Sequence, residues 1–140
     1  MAICELRTTE QVSMGKTLAT SLPTLSVRID LDAQGRIGPG KIQLLENIQK
    51  FGSISAAGRA MDMSYKRAWD LVNEINRVCR QPTVESQAGG KNGGGAVLTS
   101  FGLSLVARYR KIEREAASAV RNDLVRLQSD IGRLKKSAKY

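Results

Sequence analysis

The chain has 140 residues, room for one ordinary domain plus an extension, and its 41% hydrophobic content argues against wholesale disorder. It contains no histidine, which excludes a Ser-His-Asp triad, a Cys-His pair and a His-ligated metal, so no catalytic residue, metal or cofactor is expected and the chain is not read as an enzyme. Lysine and arginine number 22 against 13 acidic residues, a net charge of +9 with a pI near 10.0, which fits a polyanionic partner and fits a merely solvated basic surface as well.

Residues 1–24 mix Thr, Ser, Gln and scattered apolar positions without a period and read as an N-terminal arm, flexible or loosely docked. Neither a signal-peptide core nor a run of membrane-spanning length is found, so no membrane association and a cytoplasmic location are expected. From Leu25 the pattern sharpens. Leu25, Val27, Ile29 and Leu31 alternate with Ser26, Arg28, Asp30 and Asp32, a strand with one buried face, and Gln34-Gly35 makes a turn. Pro39 suits a first helical turn. Ile42, Leu45, Ile48 and Phe51 follow at helical spacing until Gly52 stops the helix.

A short second helix spans Ser55 to Met61, with Ala56, Ala57 and Ala60 permitting close packing, and Asp62-Met63 breaks it. Ser64 caps a third helix to about Arg80, whose apolar face is Ala68, Trp69, Val72, Ile75 and Cys79. Cys79 thus reads as a buried thiol, and it and Cys4 have no zinc spacing. Thr83–Gln87 and Ala96–Leu98 read as paired strands around a glycine-dense loop carrying Lys91 and Asn92. Thr99 or Ser100 caps a last helix running to about Lys136.

This order predicts a mainly α protein: a winged helix-turn-helix over residues 25–98, comprising a strand, three helices and a β-hairpin wing, then a long C-terminal dimerisation helix over 99–140. In such a unit the first turn of the third helix enters the major groove of double-stranded DNA, which assigns Ser64, Tyr65, Lys66 and Arg67 to base contact and puts Asp70, Asn73 and Glu74 on the outward face beyond them. The bland reading is a solvated helix face. Against it, Lys66 and Arg67 oppose the helix dipole at an N-terminus, and an exposed tyrosine adds nothing to solubility. Trp69 falls with the core by its spacing.

Ser53 and Ser55 open the second helix, where they grip a phosphate or simply cap; both roles are compatible. Lys91 and Asn92 suit the tip of a wing lying over DNA, a plain loop being the alternative. The loop is no nucleotide cradle, since Asn92 stands where Ser or Thr is needed and no helix follows directly.

In the last helix Leu105, Tyr109, Ile112, Ala116, Val120, Leu124, Leu127 and Ile131 form an apolar stripe of about 3.6 residues per turn, a nearly straight seam rather than a heptad supercoil. A helix of about 38 residues is about 57 Å long, more than one small domain covers. A second copy of the chain is the simplest partner for the uncovered stripe, with packing against the N-terminal arm as the alternative. The basic residues of this helix fall largely off the stripe.

The run SISAAGRAMDMSYKRAWDLVNEIN and the following GGKNGGGAVLT resemble the N-terminal domain of the molybdate-responsive ModE regulators and their LysR-like winged-helix relatives, over about Leu25 to Val120. The resemblance implies a bacterial-type transcription regulator that dimerises through its last helix and binds a palindromic operator, usually as a repressor. It carries groove contacts to Ser64, Tyr65, Lys66 and Arg67 and wing contacts to Lys91 and Asn92. Full-length members continue into molybdate-binding repeats that have no counterpart here. Molybdate sensing by this chain is therefore not expected; it either answers another signal or works with a separate sensor protein. Two other functions compete: a sequence-tolerant architectural DNA binder, and a winged-helix module for protein interaction.

Overall fold

The computed structural model describes residues 23–87 and 94–139, which hold five α-helices and two small antiparallel sheets. Of the arm expected over residues 1–24, only Pro23 and Thr24 fall within the described residues. Ser26–Ala116 form one compact unit, and the residues from Ala117 onward belong to another.

The alternation from Leu25 to Leu31 appears directly in exposure, each apolar residue half-buried and each polar one exposed. Only Ile29–Leu31 (β1) pairs as a strand, because its partner Gly35–Ile37 (β2) is three residues long. Sequence reading missed β2, a strand too short to show a period. A single 3-10 turn, Asp32–Gln34, joins the two. Gly35 has φ 133°, and a Cβ there would lie 2.7 Å from Val78 Cγ2, so the hairpin closes on the third helix only where a side chain is lacking.

Helix α1 (Pro39–Phe51) starts at its proline and stops at Gly52, whose φ of 75° lets its N–H donate to the Ile48 carbonyl at 2.8 Å. Ile42, Leu44, Leu45 and Ile48 are fully buried. Phe51, expected among them, is instead 45% exposed, with Lys50 Nζ 5.3 Å from its ring centroid. The short helix α2 (Ile54–Ala60) buries Ile54, Ala57 and Gly58, whereas Ala60 faces solvent. A Cβ on Gly58 would lie 3.0 Å from Ala68 Cβ, which marks the close approach of α2 to α3 (Tyr65–Cys79). Between them, the Met61 and Met63 amides both donate to the Gly58 carbonyl, and Asp62 takes φ 58°. Ala68, Val72, Ile75 and Val78 face the core from α3; Trp69 and Cys79 are half-buried.

Strands β3 (Val84–Gln87) and β4 (Gly95–Leu98) pair with Val84 opposite Leu98 and Gln87 opposite Gly95. The Ala96 N–H donates to the Gly52 carbonyl at 2.9 Å, fixing this sheet to the end of α1. Thr99 caps α4 (Ser100–Ala119): its Oγ1 accepts from the Gly102 N–H at 3.0 Å and donates to the Pro82 carbonyl at 2.9 Å. The Thr99 N–H meanwhile donates to the carbonyl of buried Thr83 at 3.0 Å.

The single last helix expected from sequence is divided. It consists of α4 and α5 (Arg121–Lys139), separated at Val120, whose carbonyl accepts from the Leu124 N–H at 2.9 Å. No Pro or Gly between Leu103 and Ile131 marks that interruption. Among the described residues no helix is long and apolar enough to cross a membrane.

Candidate nucleic-acid interface

Ser53, outside the first turn of α2, has extended backbone, and its Oγ accepts from the Ala56 N–H at 2.9 Å. The Ser55 Oγ accepts from the Arg59 guanidinium at 2.8 Å. Each serine is thus a hydrogen-bond acceptor within the helix and retains its own O–H as a donor. Ser64 caps α3 by accepting from the Arg67 N–H at 3.1 Å. It orients the turn that carries Tyr65, Lys66 and Arg67.

Tyr65 is 58% exposed and meets Trp69 edge to face, their ring centroids 6.3 Å apart. Both rings line a cleft of about 370 Å³ that also takes in Ser53, Ser55 and the β3–β4 residues Gln87 and Gly95. Residues from two helices and the following hairpin therefore converge on one concavity. Trp69, assigned to the core by its spacing, serves both: it packs on the core and forms part of the cleft wall. Ser86 and Gln87, which sequence reading treated only as strand, line the cleft too; nothing in their spacing signals it.

Lys66 Nζ lies 3.0 Å from Asp70 one turn on, a largely exposed pair that a stronger anion displaces at little cost. Arg67 is exposed and has no carboxylate partner within salt-bridge distance among the described residues. Asn73 is exposed farther along the same helix. Lys91 and Asn92 lie outside the described residues.

Lys41 and Arg110 each tie together elements that carry this face. Lys41 Nζ contacts Glu74 at 2.6 Å and the Arg36 carbonyl at 2.7 Å, joining α1, α3 and the β1–β2 hairpin. The hydrogen bond from Lys41 and the lysine charge hold the Glu74 carboxyl below its ordinary range, against the opposing effect of burial. Arg110 makes a two-pronged contact with Glu46 at 2.7 and 2.9 Å, joining α4 to α1, and a single bond to Glu113 of its own helix at 2.6 Å. These hydrogen bonds push Arg110 up and hold Glu46 down. Burial raises the Cys79 thiol, in keeping with an inert structural cysteine. Among the described residues no group of three His, Cys, Asp or Glu is placed to hold a metal ion.

The apolar stripe divides into covered and uncovered parts. Tyr109, expected at a dimer seam, is 2% exposed within this chain's own core, and its hydroxyl donates to the Val27 carbonyl at 2.6 Å. Leu105 packs against the same core. Ile112 is 39% exposed and edges an apolar cleft of about 210 Å³ shared with Ile29, Leu31 and Phe101. Ala116, Val120 and Leu124 are half-buried, whereas Leu127 and Ile131 are exposed.

No protein-family model matches the chain. It is similar to the molybdenum transport protein ModE of Azotobacter vinelandii, 40% identical over 92 residues that cover 66% of this chain and 34% of that protein. It is similar also to the molybdenum-pterin-binding protein MopB of Rhodobacter capsulatus, 48% identical over 59% of this chain and 30% of the relative. The DNA-binding transcriptional dual regulator ModE of Escherichia coli K12 is 41% identical over 61% of this chain and 34% of its own length. The chain spans about a third of the length of the curated relatives it matches.

Proposed function

We propose that this chain is a sequence-specific, double-stranded-DNA-binding transcription regulator of winged helix-turn-helix form, acting as a homodimeric repressor on a palindromic operator. The observation that carries the reading is the shared cleft: the α2 serines, the α3 aromatic pair and the base of the β3–β4 hairpin meet beside an exposed cationic turn. On this reading Ser64, Tyr65, Lys66 and Arg67 contact base edges, and Asn73 lies farther along the groove. The free O–H groups of Ser53 and Ser55 bond phosphate, and Lys91 and Asn92 form the wing contact. The rest of the stripe, exposed Ile112, Leu127 and Ile131 with half-buried Ala116, Val120 and Leu124, pairs with a second copy, while Leu105 and Tyr109 support it from within the chain. The names of the regulators at 41% identity favour the same function.

Recovery of bound fragments from random duplex DNA tests it. Two half-sites related by two-fold symmetry are expected, and the double substitution of Lys66 and Arg67 with Ala should abolish preference for them. Fragments without any shared motif favour the architectural alternative. A folded protein that binds no duplex at low salt favours a module for protein interaction.

The names of the two Rhodobacter relatives favour a second reading, binding of a molybdenum species. We propose instead that the chain holds none and that any effector acts through a separate sensor protein. Molybdenum analysis of the protein after dialysis against molybdate decides between these: stoichiometric retention would overturn our reading.

A further inference from the structure

A second concavity, of about 390 Å³, lies on the other side of the first turn of α3. Arg28, Arg36, Lys41 and Arg67 line it together with Met61, Met63 and Leu71, and no acidic side chain does. Two of the four cations are committed. Lys41 is matched by Glu74, and Arg28 is held by Asp30 at 3.0 Å. Asp30 stands opposite Arg36 in the β1–β2 ladder, yet its carboxylate is taken by Arg28. Arg36 and Arg67 therefore face this hollow with no carboxylate in salt-bridge range among the described residues. Glu74 feels the Arg67 charge only beyond salt-bridge range, and a concave site lined by four cations and no carboxylate attracts a polyanion.

We infer that this basic hollow seats the phosphate backbone on the side of the groove opposite the Ser53–Ser55 cleft. The inference rests on the reading of α3 as the helix that enters the major groove. That groove is about 12 Å wide and is bounded by two rows of phosphates, so a helix end inside it has one row on each flank. Tyr65 lines one concavity and Arg67 the other, which puts the first turn of α3 between them. Arg36 then holds one row by charge, beside the base-reading Arg67, and the serines hold the other by hydrogen bonds. Arg36 comes from a strand that no part of the sequence pattern announces.

The test is fluorescence anisotropy with a short mixed-sequence duplex, titrated from about 50 to about 200 mM salt, for the unaltered chain, Arg36→Ala, Arg36→Lys and Arg28→Ala. Arg36→Ala should bind more weakly, and its loss of affinity over that salt range should be smaller than the unaltered chain's by about three- to fourfold, the share of one phosphate contact. Arg36→Lys, which keeps the charge, should retain the original salt dependence. Arg28→Ala, which frees Asp30 to neutralise Arg36, should weaken binding too, giving a second reading if Arg36→Ala fails to fold. Unchanged affinity and salt dependence in both alanine variants, with the unaltered chain still binding, would overturn the inference alone. An unaltered chain that binds no duplex at low salt overturns it together with the reading on which it rests.

Discussion

The side-chain oxygen of Asn76 accepts two hydrogen bonds from Thr83, one from the backbone N–H at 2.8 Å and one from the hydroxyl at 2.6 Å. Thr83 is completely buried, so the last turns of α3 are fastened to the chain entering β3 through a contact shielded from water. Asn76→Ala strands both donors and is expected to cost about 2 kcal/mol or more. A denaturant titration checks the loss, and hydrogen exchange should show the Thr83 amide released. Unchanged stability would mean that water replaces the carboxamide without penalty.

Gly102 is required by contact rather than by backbone angle. A Cβ there runs into the Thr83 carbonyl, a backbone group that moves only if α4 lifts from the strand. Gly102→Ala should therefore destabilise by about 1–3 kcal/mol, although alanine is the better helix former. Ser100→Ala, at an exposed position of the same turn, provides the comparison in a thermal melt.

Acid should unfasten α1 from its neighbours. Glu46 is held below its ordinary range by the hydrogen bond from Arg110, against burial and aided by the arginine charge; Glu74 is held down in the same way by Lys41. A folded-state value below the unfolded one, about 4.3 for glutamate, gives stability that is complete above that pH and lost as pH falls through the depressed folded values. Urea midpoints should accordingly hold steady for these groups from pH 7 to 5 and decline below about pH 4. In Glu46→Gln/Glu74→Gln the pH 7 midpoint should drop and the acid decline become shallower. An equally steep decline in the double variant would assign the acid sensitivity to other carboxylates.

Asp70 acts as a brake on the proposed DNA contact, since it occupies Lys66 and adds negative charge beside the reading turn. Asp70→Asn should tighten binding to duplex by about fivefold, the effect of about 1 kcal/mol from an exposed charge pair. Anisotropy at fixed salt measures it. Weaker binding would instead make Asp70 a contact in its own right.

Features decided within a few residues were legible in the sequence. Pro39 starts a helix, Gly52 in the left-handed region stops it, and the Ser64 hydroxyl caps α3; each depends only on its own turn. The meeting of Ser53, Ser55 and Tyr65 in one cleft is tertiary, and no spacing in the sequence announces it. Where spacing alone was followed it misled. A face drawn through Ile42, Leu45 and Ile48 extends to Phe51, but the buried stripe is broad enough to include Leu44 instead. Periodicity likewise placed Tyr109 on an apolar seam without revealing that it lies in this chain's own core with its hydroxyl bonded to the Val27 carbonyl. Arg36 escaped notice because its setting is tertiary: only the pairing of two three-residue strands brings it toward Arg67.

The fastening of α3 at Glu74 and Asn76 has a consequence for the entropy of association. Its helical backbone is oriented before any partner arrives, so a partner at its first turn has only the side chains of Tyr65, Lys66 and Arg67 to immobilise there, at about 0.5–1.5 kcal/mol each. Loosening Lys41 or Asn76 would add the ordering of a whole helix to that cost. Such changes should slow productive docking, and the change at Asn76 does so without removing a group from the contact surface.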